Sequence, residues 1–540
     1  MNDNYDVIVI GSGIGSLTAA SLLSQKFKKK VLVLEQHFKL GGFTHIFKRV
    51  GEHGTYFWDV GLHYVGDMSP GKMPRAIFDY FTNGNVEWNE MPDVYDKFVF
   101  PDLTFSCRKG KENLIEDLKN AFPNETQGID KYFADLKKFS KWYGKKMIFG
   151  LLPETISPLT ELLQGSSKES FLTTKEYLDT IFTDEKIKAV LTAQWGDYGL
   201  PPSQSSLIIH MLIQSHYFDG GYYPKGGSKK IADSVVPIVE AAGGKLLINH
   251  EVTEIIIKDG KAIGVRANQK VGNLKMPVEF YSDKVISGAG AYNTYIKMVN
   301  HESVKNIREE IENIELPSTS ITLYLGLKES PEKLGFNGEN HWIYSGWNFE
   351  KIYHNRNELL NGKVGMAYLS FPSLKDGTKP NYSAEIITFA DYDVFEKWNN
   401  KPWKNRSDEY DRLKKQISES LIDFVDIKYP GFKDLVDYSE LSTPLTNEHF
   451  TLQPKGSIYG LPATPSKFEA EWNSPRTPIK NLYLTGSDSG VHGIVGAMMS
   501  GVITAGLAFG GARKIFSLFK NAFQYSKTLE DKRVNERSTS

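Results

Sequence analysis

The chain has 540 residues, of which 40% are hydrophobic, 24% charged and 12% aromatic, and its formal net charge is −1. That length accommodates two or three domains with large cores, and the near-zero charge removes the electrostatic case for a nucleic-acid partner. A single cysteine, Cys107, excludes an intramolecular disulfide, a thiolate metal cluster and a redox dithiol, and no metal site is expected. No basic-then-apolar leader opens the sequence and no apolar run approaches the roughly 20 residues of a membrane span. The expected location is the cytoplasm, with peripheral membrane contact.

Taken in chain order, residues 5–10 (YDVIVI) form an apolar, β-branched run that predicts a buried parallel strand. A glycine-rich turn follows, then a helix over 16–23 and a second apolar strand over 31–34, a β-turn-α-β unit in about thirty residues. Cys107 reads as a semi-buried strand residue. From about 111 to 218 the pattern is helical, with helices over 112–122, 129–143, 175–182 and 207–215 and a break at Pro201-Pro202. A helix over 229–242 ends at Gly243-Gly244, and strands are expected over 245–248, 251–258 and 262–267, with a turn at Asp259-Gly260. Residues 284–286 read as another buried strand, 319–327 and 384–389 as strands of a different sheet, and 408–424 as a helix. A last strand over 481–484 precedes a small-residue helix from about Gly496. The tail after Ser526 is polar and reads as disordered.

The turn after the first strand is Gly11-Ser12-Gly13-Ile14-Gly15-Ser16. Gly11 permits the tight turn, Gly13 lets the backbone approach a pyrophosphate, and a small residue at Ser16 lets the helix pack on the strand. The helix N-terminus then offers free N–H groups to phosphates. Glu35 closes the second strand, where a carboxylate accepts hydrogen bonds from ribose hydroxyls and repels a 2′-phosphate. This fits FAD or NAD. Gly41-Gly42 supplies a second close backbone approach, and Thr485-Gly486-Ser487-Asp488 with Gly493, Gly496 and Ala497 forms another strand-turn-helix near the far end of the chain. A chain that returns to complete the same site fits an extended FAD better than NAD, with Asp488 holding a ribityl hydroxyl. The Gly288-Ala289-Gly290 turn lacks a following acid-terminated strand, so no dedicated NAD(P)H domain is visible and an external electron donor is implied.

Residues 41–47 (GGFTHIF), 57–66 (FWDVGLHYVG), 194–202 (QWGDYGLPP), 220–228 (GGYYPKGGS), 457–460 (SIYG) and 484–501 together resemble the FAD-dependent polyene oxidoreductases, which include phytoene desaturases, carotenoid cis-trans isomerases and retinol saturases. The likeness spans about residues 5–510 and is greatest to the retinol saturase-like branch. The order of elements along the chain gives the expected α/β fold: a discontinuous Rossmann-like FAD-binding domain (1–110, 220–300 and 475–512) and a mixed α+β substrate domain (111–219 and 301–474), with the polar residues 526–540 as a disordered tail. The resemblance implies FAD as the cofactor. It also implies an apolar polyene or isoprenoid substrate, and it places Val252 at the adenine edge. The text at Ser487 and 489–492 varies among related sequences beside the expected flavin ring, which leaves the reaction open.

Saturation of a C=C bond is the leading expectation, using a hydride from reduced flavin and a proton from an acid. His492, His63 and Tyr222 are the candidate acids. His45, Tyr64, Tyr223 and Tyr459 are further candidates for the flavin environment or an apolar channel, and Gly226-Gly227 for another close approach. The alternatives are polyene isomerisation or desaturation on the same flavin, an amine oxidase-like flavoprotein, and a non-catalytic flavin-bound lipid or carotenoid carrier. Residues 512–525 combine Arg513, Lys514 and Lys520 with Ile515, Phe516, Leu518, Phe519 and Phe523, an amphipathic basic helix able to rest on lipid or to pack on the body.

Overall fold

Strand β1 (Tyr5–Ile10) is covered on both faces, with Val7, Ile8 and Val9 fully buried, so its continuous β-branched run suits a central parallel strand. Helix α1 (Ile14–Phe27) lies over it and is buried from Ile14 to Ser24, polar positions included. It ends at Lys28 in the left-handed conformation, φ 55°, and the chain returns as β2 (Val31–Leu34), parallel to β1. The computed structural model describes residues 4–150 and 171–538. Residues 151–170, within the expected substrate domain, lie outside them.

The strand order in this sheet is 250–258, 261–271, 274–287, β1, β2, 245–247, with Leu482–Leu484 joining at Leu274–Ser287. Leu274–Ser287 serves twice. Its first part pairs antiparallel with Lys261–Val271, and its last residues, 284–287, run parallel to β1. The short run expected at 284–286 is thus the buried end of a longer strand. Its first part alternates apolar and polar residues, with Leu274, Met276, Val278 and Phe280 at every second position, and is largely exposed, with Leu274 68% and Met276 49% accessible.

A second seven-stranded sheet has the order 436–442, 319–327, 382–390, 366–370, 340–344, 94–99, 104–108. The assignment of residues 94–108 to the cofactor domain is corrected here: Val94–Val99 runs parallel to Asn340–Tyr344 and antiparallel to Thr104–Arg108. Cys107 sits on that edge strand fully buried, and burial pushes its thiol well above the usual range, so it is an inert core residue.

The expected disorder after Ser526 is also corrected. Residues Gly511–Ser538 form one helix. Ile515, Leu518, Ala522 and Ser526 are buried along one stripe, at the i, i+3, i+7, i+11 spacing of a helix face. Ser526 donates to Asp79 Oδ2 at 2.7 Å, on helix Met73–Phe81. Packing against the body orders a segment whose composition alone reads as solvent-exposed.

Candidate active site

A cavity of about 1090 Å³ opens along the carboxyl ends of β1 and β2 and continues to the second sheet. Its lining includes Gly11, Gly13, Gly15, Ser16, Glu35, Gly41, Gly42, Val252, Gly486, Asp488 and Ala497. Those eleven of the twelve expected cofactor positions converge from distant parts of the chain. Gly496 does not line it. A Cβ there would stand 2.2 Å from Val491 O, so this glycine serves the tight turn before the helix.

Each glycine has its own reason. A Cβ on Gly15 would lie 2.8 Å from both Ala497 O and Gly486 N, so Gly15 lets α1 cross the Gly493–Ala508 helix at backbone contact. A Cβ on Gly42 would meet Gly13 Cα at 3.0 Å, which seats the second glycine pair on the first turn. Gly13, Gly486 and Gly493 line the cavity, and a Cβ on any of them meets nothing within 4 Å. Their missing side chains leave space on the cavity side, the shape of a cradle for backbone approach to a ligand. Ser16 at the third motif position is accommodated because its neighbour is a glycine: a Cβ on Gly288 would collide with Ser16 Oγ at 2.0 Å.

Two helix N-termini open here. Gly13 caps α1 and His492 caps Gly493–Ala508, and neither helix has a side-chain cap bond. Their first-turn N–H groups are suited to an anion. Glu35 is buried; it accepts from Ser12 N at 2.8 Å and Ser12 Oγ at 2.6 Å on one oxygen and from His37 N at 2.7 Å on the other. Burial pushes its carboxyl upward against those bonds. Asp488 is also engaged by the protein: Leu461 N at 2.8 Å and Ala291 N at 3.0 Å bind its two oxygens, and buried Lys467 stands at 3.4 Å. It fastens three segments at the cavity wall.

Among the expected acids, only His63 lines the cavity. Its Nδ1 lies 2.8 Å from Glu385 Oε2, outside hydrogen-bond angles, and both Glu385 oxygens are buried without a hydrogen bond. His492 is buried behind Tyr459, rings 5.1 Å apart, and burial holds its imidazole well below the usual range, hence neutral. Tyr222 is placed elsewhere: it pairs on the Trp88–Glu90 strand and packs in the core. Both are therefore removed from the cavity wall. Tyr459 and His45 do line it, whereas Tyr64 and Tyr223 stand behind it. Gly226-Gly227 is likewise not on the wall; Gly227 closes over Asp59, whose Oδ1 would be 3.3 Å from its Cβ.

The flavin-containing amine oxidoreductase family model matches residues 17–508. The chain belongs to that family. Within it, the chain is 33% identical to all-trans-retinol 13,14-reductase of Danio rerio over 93% of this chain and 86% of that one. It is 29% identical to the Homo sapiens protein of the same name, over 96% and 87%, and 24% identical to a prolycopene isomerase of Arabidopsis thaliana, over 93% and 82%. Among solved structures it shares the fold of a Methanosarcina mazei oxidoreductase (TM-score 0.58, 16% identity, 92% of this chain and 99% of that one) and of putrescine oxidase bound to putrescine (TM-score 0.60, 14% identity, 93% and 98%). The chain is thus a flavin-dependent oxidoreductase of this family, with an α/β fold.

The part of this flavoenzyme's cavity beyond the glycine turns is lined by Trp342, Met366, Tyr368, Ile387 and Phe389. Sequence reasoning missed the polar groups embedded there. Asp197 lines the wall, inside a stretch quoted above only for its resemblance. Lys375 is buried and donates to His63 O at 2.6 Å, Ser370 Oγ at 2.5 Å and Asn340 Oδ1 at 2.9 Å. Desolvation pulls its ammonium down to about 8 against the charges of Glu385, Asp96 and Asp59. The available signal was an acid within the aromatic text Trp195-Gly196-Asp197-Tyr198, where a charge in apolar surroundings asks for an explanation.

Proposed function

We propose that the chain binds FAD in this cradle and saturates one C=C bond of an apolar polyene, of which an isoprenoid alcohol such as retinol is the model. The observation that carries the reading is that one cavity joins the dinucleotide cradle to an aromatic and aliphatic limb. The names of the relatives point to the same substrate class.

In this reading Gly11, Gly13, Gly15 and Ser16 receive the pyrophosphate at the start of α1, and Glu35 takes the ribose hydroxyls on its remaining lone pairs. Val252 borders the adenine, and Gly41, Gly42, Gly486, Asp488 and Ala497 enclose the rest of the cofactor. Bound flavin supplies the hydride chemistry, and an external donor replenishes its electrons. Trp342, Tyr368 and Phe389 hold the polyene and exclude water, and His63 orients it. Charge developing on a conjugated chain spreads along it, so little fixed apparatus is required.

The test is anaerobic. The purified flavoprotein is photoreduced and mixed with all-trans-retinol, and product mass is read alongside flavin absorbance. A product heavier by one hydrogen molecule, formed as the flavin reoxidises, is expected. An unchanged mass with altered retention and flavin still reduced means isomerisation and overturns the reading. Flavin that never exchanges electrons with ligand means a carrier.

An apolar substrate dissolves in lipid, and the outer face of Gly511–Ser538 suits a membrane surface: Phe516 and Phe523 are 43% and 44% exposed beside Arg513, Lys514 and Lys520. No helix among the described residues is long and apolar enough to cross a membrane. Phe516→Ser with Phe523→Ser should leave flavin content unchanged and cut cosedimentation with anionic vesicles several-fold. Equal cosedimentation refutes the contact. Deleting the helix is the poorer test, because it uncovers Met73–Phe81.

A further inference from the structure

Asp197 ends the short turn Trp195–Asp197 and faces the apolar limb of the cavity beside Trp342, Tyr368 and Phe389. A Cβ on the adjacent Gly196 would lie 2.7 Å from the Trp342 ring, so the turn is pressed against that wall. Behind the carboxyl is a closed polar set. The Tyr64 hydroxyl lies 3.2 Å from Asp197 Oδ2 and 3.0 Å from Asp96 Oδ2. Gln194 Nε2 donates to the Tyr64 hydroxyl at 3.2 Å and to Asp96 Oδ2 at 2.8 Å, and Asn340 Nδ2 donates to Asp96 Oδ1 at 2.9 Å.

Counting protons decides which carboxyl is neutral. A phenol has one hydrogen and cannot donate to two carboxylates. For both contacts to be hydrogen bonds, one of the two carboxyls must carry a proton of its own. Asp96 receives the Gln194 and Asn340 amides, which favour its ionised form. Asp197 has only the phenol, so the proton falls to Asp197. The electrostatics agree. Burial raises both carboxyls, Asp96 to about 7, and Asp197 is raised well above the usual range by burial and by the charge of Asp96.

We infer that Asp197 is the acid that protonates the substrate carbon and that Tyr64 and Asp96 position it, an assignment that rests on the saturation reading above. In the resting site this proton lies in the hydrogen bond to Tyr64; with polyene bound the carboxyl presents it to the cavity, the Asp197 O–H bond breaks, and the proton forms a C–H bond at one carbon of the C=C bond. The hydride equivalent for the other carbon comes from reduced flavin, the co-reactant. The electron pair left on the Asp197 carboxylate is stabilised by the Tyr64 hydroxyl, whose one hydrogen turns from Asp96 while Asp96 keeps the Gln194 and Asn340 amides, and a solvent proton restores the acid. His63 is less suited to this task. Its Nδ1 faces Glu385, buried and without a hydrogen bond, which would lose its neighbour if the ring turned to the substrate, whereas a neutral carboxylic acid faces an apolar cavity at smaller desolvation cost.

Asp197→Asn, Asp197→Glu and the wild-type holoprotein are compared in two measurements. Infrared difference spectroscopy should find the carbonyl stretch of a protonated carboxylic acid in wild type, shifted in heavy water and absent from Asp197→Asn. Single-turnover reduction of retinol by photoreduced enzyme should slow by about 100-fold or more in Asp197→Asn and recover in part in Asp197→Glu, with flavin content and spectrum unchanged. A wild type that saturates retinol and an Asp197→Asn variant that does so equally fast overturn the assignment alone, as does a wild type without the carboxylic band. A wild type that reduces no polyene overturns the saturation reading and, with it, the role of Asp197.

Discussion

Gly13→Val should give a folded protein that carries no flavin. Gly13 is the N-cap of α1 at φ −61° and ψ 167°, an extended conformation that a β-branched residue adopts readily. A Cβ there meets no protein atom within 4 Å, so the side chain starts without a clash and projects into the cradle. Affinity for FAD should fall by at least about 100-fold, roughly 2.8 kcal/mol at 1.4 kcal/mol per decade, read by titrating FAD into the flavin-free variant. Circular dichroism should match that of wild type stripped of its flavin. Gly15→Val is the contrasting case, since its Cβ would strike the backbone at Ala497 and Gly486, and it should fail to fold. A Gly13→Val protein that purifies yellow would show that the cavity is not the flavin site.

Much of this cradle was legible because its determinants are local. The run Tyr5–Ile10, the glycine spacing and Glu35 fall within about thirty residues, and a buried parallel strand followed by a glycine turn has few readings. The far-end segment was legible for the same reason, as small residues after a short apolar strand. What failed was non-local or depended on packing. Val94–Val99 looks like any short strand, and its sheet is decided by pairing with Asn340–Tyr344, far along the chain. Residues 526–538 have a solvent-like composition and are ordered because Ser526 meets Asp79. His492 and Tyr222 have chemistry a catalyst would use, but which way each side chain faces depends on Tyr459 and on the Trp88–Glu90 strand. Asp96 comes from strand Val94–Val99, Asp197 from the Trp195–Asp197 turn and Tyr64 from a loop, so the three form a set only once the chain has folded, and no spacing rule links them.

The same assembly makes a second large effect measurable, at His63 and Glu385. Glu385 is fully buried on strand Tyr382–Ala390, with His63 Nδ1 2.8 Å from Oε2 and no hydrogen bond to either oxygen. Such a pair need not stabilise the fold, because the attraction barely offsets the desolvation of both groups, but removing one partner strands the other. His63→Leu should therefore lose about 3–5 kcal/mol, read as a lower denaturation midpoint of the flavin-loaded protein. Glu385→Leu should lose less, about 1–3 kcal/mol, because the imidazole it leaves behind has a neutral form and 20% of its side chain is accessible from the cavity. The double variant should recover most of the loss, since two leucines satisfy each other where a carboxylate and an imidazole had to be matched. Additive losses would mean that the two groups are not coupled, and that Glu385 has another proton or partner to answer for its burial.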